Sequence, residues 1–347
     1  LSILQYLNSY HIMQLNDLEK IDVKEMFRTY DKWPEIAKDS FENEYQKLDV
    51  KEIDHLVFAG MGGSGSIGDT IKAILSKEDF HVTIVKGYLL PKTVDQNTLV
   101  IATSVSGETS ETLGVLEAAN KTDAKIASFS SGGKCEKFCR NHNIFFENIP
   151  LIHSPRASYS NFLFSIINIL EDILPLRKND IYESISTLES TRKNIFSGNL
   201  NKNNQALSLA EFIEEIVSIF YPAGLYPAAI RYKNSLQENT KIHSMIDDVM
   251  EASHNAIVSW EKKSIVSPVF IQGVNDHVKT IERWEIFREF FDSEQIKYHE
   301  IKSTQGSILT KMTNLIYLLD YSTIYAAVLK NIDPSPVKSI DFIKSKL

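Results

Sequence analysis

Short apolar runs rich in β-branched residues alternate with stretches of helical period along most of this 347-residue chain. In the first half, strands are expected at 55–59, 81–85, 99–103 and 125–129, with helices at 67–76 and 111–120 between them. Such alternation predicts a parallel sheet covered by helices on both faces. The second half repeats the scheme, with strands at 216–221, 267–272 and 296–301 and helices from about 226, at 279–291 and at 306–329. Residues 1–48 differ: Trp33, Ile36, Phe41 and Tyr45 recur at helix-like spacing and Pro34 fits a first-turn position, which makes this segment an amphipathic helical lead-in. A helix around 158–173 and a polar stretch at 191–205, rich in Asn, Lys and Ser, separate the two α/β halves. The expected division is therefore a lead-in to 48, one α/β domain at 49–190, a second at 191–330, and a C-terminal tail at 331–347.

Composition removes several classes of function. A hydrophobic content of 43% suffices to bury two cores at this length and excludes a disordered chain. The formal net charge is -8, with Lys and Arg spread along the chain, so nucleic acid is not an expected partner. Apolar runs such as 162–170 fall far short of the roughly 20 residues of a membrane span. No basic stretch followed by an apolar segment opens the chain, and a cytoplasmic location is expected. Cys135 and Cys139 stand four apart in a helical segment and make no disulfide framework; they read as ordinary thiols on one helix face.

The candidate chemistry lies in two loops. After the first strand, Gly60-Met61-Gly62-Gly63-Ser64-Gly65 leads into a helix and satisfies the spacing G-x-G-x-x-G of dinucleotide-binding turns. That use wants an acid at the end of the second strand to hold a ribose, and here that strand ends Ile84-Val85-Lys86-Gly87. What remains is a backbone that lets amides approach an anion, with the Ser64 hydroxyl added, or else a bare strand-to-helix turn. After the third strand, Ser104-Val105-Ser106-Gly107-Glu108-Thr109 packs hydroxyls into the mouth of the next helix. Ser106 or Thr109 alone could simply cap that helix. The pair of loops favours an anion, because both lie beyond strand C-termini where open α/β sheets bind ligands. The phosphate-binding candidates are Gly62, Gly63, Ser64, Ser104, Ser106 and Thr109.

These loops resemble those of the SIS (sugar isomerase) family. Four later segments, in the same order over nearly the whole chain, make it similar to the bifunctional phosphoglucose/phosphomannose isomerases. They are Ser154-Pro155-Arg156-Ala157, Gln237-Glu238-Asn239-Thr240-Lys241, Glu251-Ala252-Ser253-His254-Asn255, and Asp333-Pro334-Ser335-Pro336-Val337 leading to Ile343-Lys344. The resemblance implies two SIS domains, each a flavodoxin-like parallel sheet between helices. It also implies a metal-independent, cofactor-free interconversion of glucose or mannose 6-phosphate with fructose 6-phosphate through a cis-enediol.

By the same resemblance Glu238 is the base that moves a proton between C1 and C2, and Arg156 is the cation that stabilises the enediolate. His254 opens the sugar ring, donated across a homodimer, and Lys344 is a second cationic or ring-opening group, with Lys338 and Lys346 close enough to leave its register open. Val105, Glu108 and Ser158-Tyr159-Ser160 depart from common residues of the family, which leaves the choice between glucose and mannose epimers open. Two other expectations share the loops: an SIS enzyme of aminosugar phosphates, and a sugar-phosphate-binding regulator.

Overall fold

The computed structural model describes residues 13–346, so the first 12 residues of the expected lead-in lie outside the described residues. Three short helices come first: α1 (Leu15–Ile21), α2 (Met26–Asp31) and α3 (Trp33–Glu42), with Pro34 in the first turn of α3 where its missing N–H leaves no bond unmade. The first α/β half then runs β1 (His55–Ala59), α4 (Gly62–Ile74), β2 (His81–Val85), β3 (Thr98–Ser104), α5 (Ser110–Ala119), β4 (Lys125–Ser130), α6 (Gly133–His142) and β5 (Phe145–Asn148). All pairings are parallel and the strand order is β2-β1-β3-β4-β5.

Helices α7 (Tyr159–Ile169), α8 (Lys178–Ile195) and α9 (Gln205–Phe212) lead into the second half. There β6 (Ile216–Tyr221), α10 (Tyr226–Ser235), β7 (His243–Asp248), α11 (Val249–Ala252), β8 (Val266–Gln272), α12 (Val278–Ser293) and β9 (His299–Lys302) form a parallel sheet in the order β7-β6-β8-β9. Helix α13 (Ile308–Leu329) follows, and α14 (Lys338–Lys344) ends the described chain. Two parallel α/β layers with flanking helices agree with the expected fold class.

The differences from the sequence pattern have physical reasons. Helix α4 begins at Gly62 and not at 67, because glycines are poor helix formers in isolation and hide the first turns from a periodicity reading, while close approach of the chain requires some of them. A Cβ at Gly65 would stand 2.6 Å from the Gly60 carbonyl oxygen. Strand β5 was not expected, being four residues long and only partly buried, and β7 was not expected because Asp247 and Asp248 break its apolar run. The polar stretch from 191 is helical as far as Ile195, since α8 packs on α13.

One hydrophobic cluster joins the halves: Leu56, Phe58 and Ile67 of the first share it with Val217, Ile219 and Ala228 of the second. Its pillar is α13, buried along almost its whole length and packed on α8, α9 and α10, with the rings of Tyr321 and Tyr325 stacked at 4.7 Å. The lead-in is built into this core, with Trp33 stacked between Tyr30 and Tyr317. Cys135 and Cys139 are buried against Ala102 and Leu116, and burial pushes the Cys135 thiol up to about 12, so both serve packing.

Candidate active site

Strands β1 and β3 are neighbours and end almost together, Ala59 opposite Ala102, and they cross over to opposite sides of the sheet. The crevice between their ends is the switch point of the sheet. The two glycine- and serine-rich loops meet there, and the Val105 amide donates to Ser64 Oγ at 3.1 Å. No side chain caps α4, whose first residue Gly62 has φ +51°. Thr109 occupies the position before α5, yet its hydroxyl pairs with Ser104 Oγ at 2.9 Å and leaves that helix uncapped too. Capping therefore does not account for these hydroxyls. Ser104 Oγ also accepts from the Gly107 amide at 3.1 Å, and Ser106 Oγ from the Glu108 amide at 3.3 Å. Two uncapped helix N-termini opening on one crevice have the polarity that suits an anion.

A charged pair borders this crevice. Gly63 packs on the segment before α7, where an added Cβ would lie 3.4 Å from the Arg156 Cα. The Arg156 side chain is buried, and its Nη1 donates to Glu238 Oε2 at 3.2 Å. Its Nε donates to Asn239 Oδ1 at 2.7 Å, and its Nη2 to the Pro334 carbonyl at 2.6 Å and the Ser335 carbonyl at 3.2 Å. Glu238 and Asn239 lie in a π-helical turn, Leu236–Thr240, that widens the end of α10. Single π turns of this kind re-aim side chains and recur at functional sites. Glu238 thus emerges partly exposed, while Asn239 points inward and donates to Thr323 Oγ1 at 2.7 Å.

Behind this pair is a buried network to which the sequence motifs assigned no part. Arg231 of α10 pairs with Asp320 of α13 at 2.6 Å, both fully buried. Its Nη2 also donates to the Arg156 carbonyl at 2.8 Å and its Nη1 to Ser66 Oγ at 3.0 Å, while Ser66 Oγ donates to the Gly63 carbonyl at 2.7 Å. One guanidinium therefore fixes both the glycine loop and the backbone of Arg156. Burial pushes the Asp320 carboxyl up, against the pull of Arg231. Burial also works against the charge on Arg231, but Asp320, Tyr30 and Tyr159 together outweigh it and hold the guanidinium above its usual range. Ser235 and Tyr30 donate to Asp320, and Trp33 Nε1 donates to the Ala157 carbonyl at 3.1 Å. The available signal was Asp320 itself, a lone acid in the apolar run Leu318-Leu319-Asp320-Tyr321.

Among the described residues, neither His254 nor Lys344 makes a hydrogen bond or ion pair with Arg156 or Glu238. His254 is exposed, just beyond the C-terminal end of β7, whereas Glu238 precedes the N-terminal end of the same strand. Six residues of strand span about 20 Å, so His254 of the same chain lies at the far end of the second sheet. Lys344 sits on α14, none of whose residues is buried, and Lys346 lies over its own Phe342 ring. Lys86, where a dinucleotide-binding chain would carry an acid, pairs with Asp69 of α4 at 2.6 Å. A cavity of about 670 Å3 lined by Asp69, Lys86 and Pro227 opens beside that pair and includes neither Arg156 nor Glu238. Among the described residues no helix is long and apolar enough to cross a membrane.

Two parallel sheets of flavodoxin-like order, with two uncapped helix N-termini at the switch point of the first, define a protein of the double SIS-domain class. Residues 50–142 match the SIS domain family, and 202–347 match the bacterial phospho-glucose isomerase C-terminal SIS domain. The chain is 30% identical, over 93% of its length and 98% of the relative's, to a bifunctional phosphoglucose/phosphomannose isomerase of Caldicellulosiruptor bescii. It belongs to the bifunctional phosphoglucose/phosphomannose isomerase family and is an isomerase. A D-glucosamine-6-phosphate 4-epimerase of Sulfolobus acidocaldarius is 27% identical over 67% of the chain and 72% of the relative. Among solved structures, the C-terminal domain of glucosamine-fructose-6-phosphate aminotransferase from Francisella tularensis has the same fold. Its TM-score is 0.67 at 16% identity, covering 88% of this chain and 96% of that one.

Proposed function

We propose that this isomerase interconverts glucose 6-phosphate and mannose 6-phosphate with fructose 6-phosphate, without a metal or cofactor. The phosphate sits on Gly62, Gly63, Ser64, Ser104, Ser106 and Thr109 at the N-termini of α4 and α5. In the open-chain aldose, Glu238 takes the C2 proton, the electron pair forms the C1–C2 double bond, and negative charge gathers on O1 beside Arg156. A proton passes from O2 to O1, and the Glu238 carboxylic acid returns its proton to C1, giving the ketose. The observation that carries this scheme is the 3.2 Å contact of Arg156 with Glu238, on a segment that touches the glycine loop at Gly63.

Ring opening falls to His254 of a second copy in a cytoplasmic homodimer, which is favoured by the position of His254 at the far end of β7 from Glu238. In this scheme 49–190 and 191–330 act as the two SIS domains. The tail 331–347 enters the site, and the contact of Arg156 with the Pro334 carbonyl supports that course and a part for Lys344.

The test offers fructose 6-phosphate with a chelator present and follows glucose 6-phosphate and mannose 6-phosphate separately. Formation of both is expected; formation of neither overturns the assignment, and loss of activity only with chelator overturns the metal-free step. An aminosugar phosphate is the second candidate substrate, favoured by the likeness to the epimerase. Turnover of glucosamine 6-phosphate in place of fructose 6-phosphate would establish it.

A further inference from the structure

Lys241 ends the π turn that carries Glu238. It adopts the left-handed conformation, φ +61° and ψ +17°, which helix ends ordinarily give to Gly or Asn. Glu25, Glu52, His153 and Gln295 share that positive φ, and what distinguishes Lys241 is where its side chain goes. That side chain folds back so that Nζ donates to the Glu238 carbonyl, to the Pro336 carbonyl at 2.8 Å and to the Pro334 carbonyl at 3.3 Å. The Pro334 carbonyl is shared with Arg156. Two cations thus hold the carbonyls of residues 334–336, Arg156 those of Pro334 and Ser335 and Lys241 those of Pro334 and Pro336. Ser335 also donates its amide to Asp333 Oδ1 at 2.9 Å, which fixes the turn of that segment.

We propose that Lys241 is a positioning residue, the latch that fixes the 334–336 segment across the catalytic carboxylate. Through it the orientation of Arg156 toward Glu238 and the course of the chain into α14 are both set. Lys241 reaches no reacting atom; it acts through the backbone of Glu238 and the tail. The charged groups facing its ammonium are Arg156 from the segment before α7, Glu238 from its own turn and Asp333 from the tail. Burial and the nearby Arg156 push Lys241 down to about 8, against the pull of Asp333 and Glu238. Below that pH the ammonium supplies three donors for three carbonyls; above it the neutral amine keeps two and loses its charge. The latch is therefore made at neutral pH and weakened in mild alkali.

The part played in catalysis rests on the proposed isomerase function, so the test has one measurement that needs no substrate. Lys241→Met and Lys241→Arg are compared with the unaltered chain, because arginine keeps its charge at every working pH. By hydrogen exchange at pH 7, amides of 335–346 should exchange at least about tenfold faster in Lys241→Met, with α13 unchanged, and at the original rate in Lys241→Arg. With fructose 6-phosphate, Lys241→Met should lose about tenfold to a hundredfold in kcat with little change in KM, and Lys241→Arg should stay within about threefold. In Lys241→Arg the fall of kcat above about pH 8 should move upward.

Unchanged tail exchange in Lys241→Met overturns the latch. Faster tail exchange with unchanged kcat overturns the link to catalysis. Absence of hexose-phosphate turnover in the unaltered chain overturns the isomerase function instead, and the exchange measurement still decides the latch.

Discussion

Arg156 Nη1 donates to Glu238 Oε2 at 3.2 Å, the guanidinium side chain 6% exposed and the carboxylate 25% exposed. The asymmetry suits unequal tasks. A cation held by Asn239 and two tail carbonyls cannot move, whereas a partly exposed carboxylate can reach a ligand in the crevice. Glu238→Gln keeps the shape and removes the basicity. It should lower kcat about a hundredfold to ten-thousandfold and abolish exchange of the substrate C2 proton with solvent, while substrate binding persists. Exchange measured in deuterated water decides the matter; retained exchange would exclude Glu238 as the base.

The Arg231–Asp320 pair leads to a prediction about stability and geometry together. Both groups are buried, so Asp320→Ala leaves an uncompensated guanidinium and should cost about 3–5 kcal/mol, read as a lower urea midpoint. Arg231→Met should be milder in stability, because Asp320 keeps its bonds to Ser235 and Tyr30 and can take up a proton in its buried setting. Arg231→Met nonetheless frees the Arg156 carbonyl and Ser66, so kcat should fall further than the stability loss explains. Equal kcat in folded Arg231→Met and unaltered protein would reduce Arg231 to a stabilising group.

How far these features were legible beforehand depended on whether they were local. Strands β1, β3, β6 and β8 announce themselves as apolar runs because both faces are buried, and the glycine loop is visible because its spacing is local. Edge strand β7 is not, since one side is solvated and it carries two acids. The tie of Arg156 to Glu238 and to Pro334 joins residues 82 and 178 positions apart, and no periodicity encodes such a contact. Asn239 stood in a recognised motif without a role, and its inward turn follows from the π bulge, which no residue pattern in Leu236–Thr240 signals. Lys241 was invisible for the same reason, its partners being backbone carbonyls.

Gly107 and Gly62 separate close approach from backbone freedom. Both have positive φ, +68° and +51°, but a Cβ at Gly107 would fall 1.8 Å from the Gly132 carbonyl oxygen, while one at Gly62 meets nothing within 4 Å. Gly62→Ala should therefore cost only the left-handed penalty of about 1 kcal/mol. Gly107→Ala adds a clash that only movement of the 104–109 loop can relieve, and should cost about 3 kcal/mol or more. Because that loop carries Ser104, Ser106 and Thr109, Gly107→Ala should also raise KM for the sugar phosphate. Thermal melts and KM values of the two variants test the order; an unchanged KM in folded Gly107→Ala would place the 104–109 loop outside phosphate binding.

If His254 serves the site of a partner copy, two damaged chains should repair one another. Each site would then draw Glu238 from one chain and His254 from the other, since the two lie at opposite ends of β7 within a chain. Glu238→Gln and His254→Ala, each nearly inactive alone on cyclic substrate, would form mixed dimers in which one of two sites is intact. Random exchange makes about half the dimers mixed, so an equimolar mixture should regain about a quarter of the unaltered activity. No recovery after verified subunit exchange would place His254 in its own chain's site or outside catalysis. The mixture distinguishes a shared site from an independent one without knowledge of the epimer preferred, because either substrate must pass through the same ring-opening step.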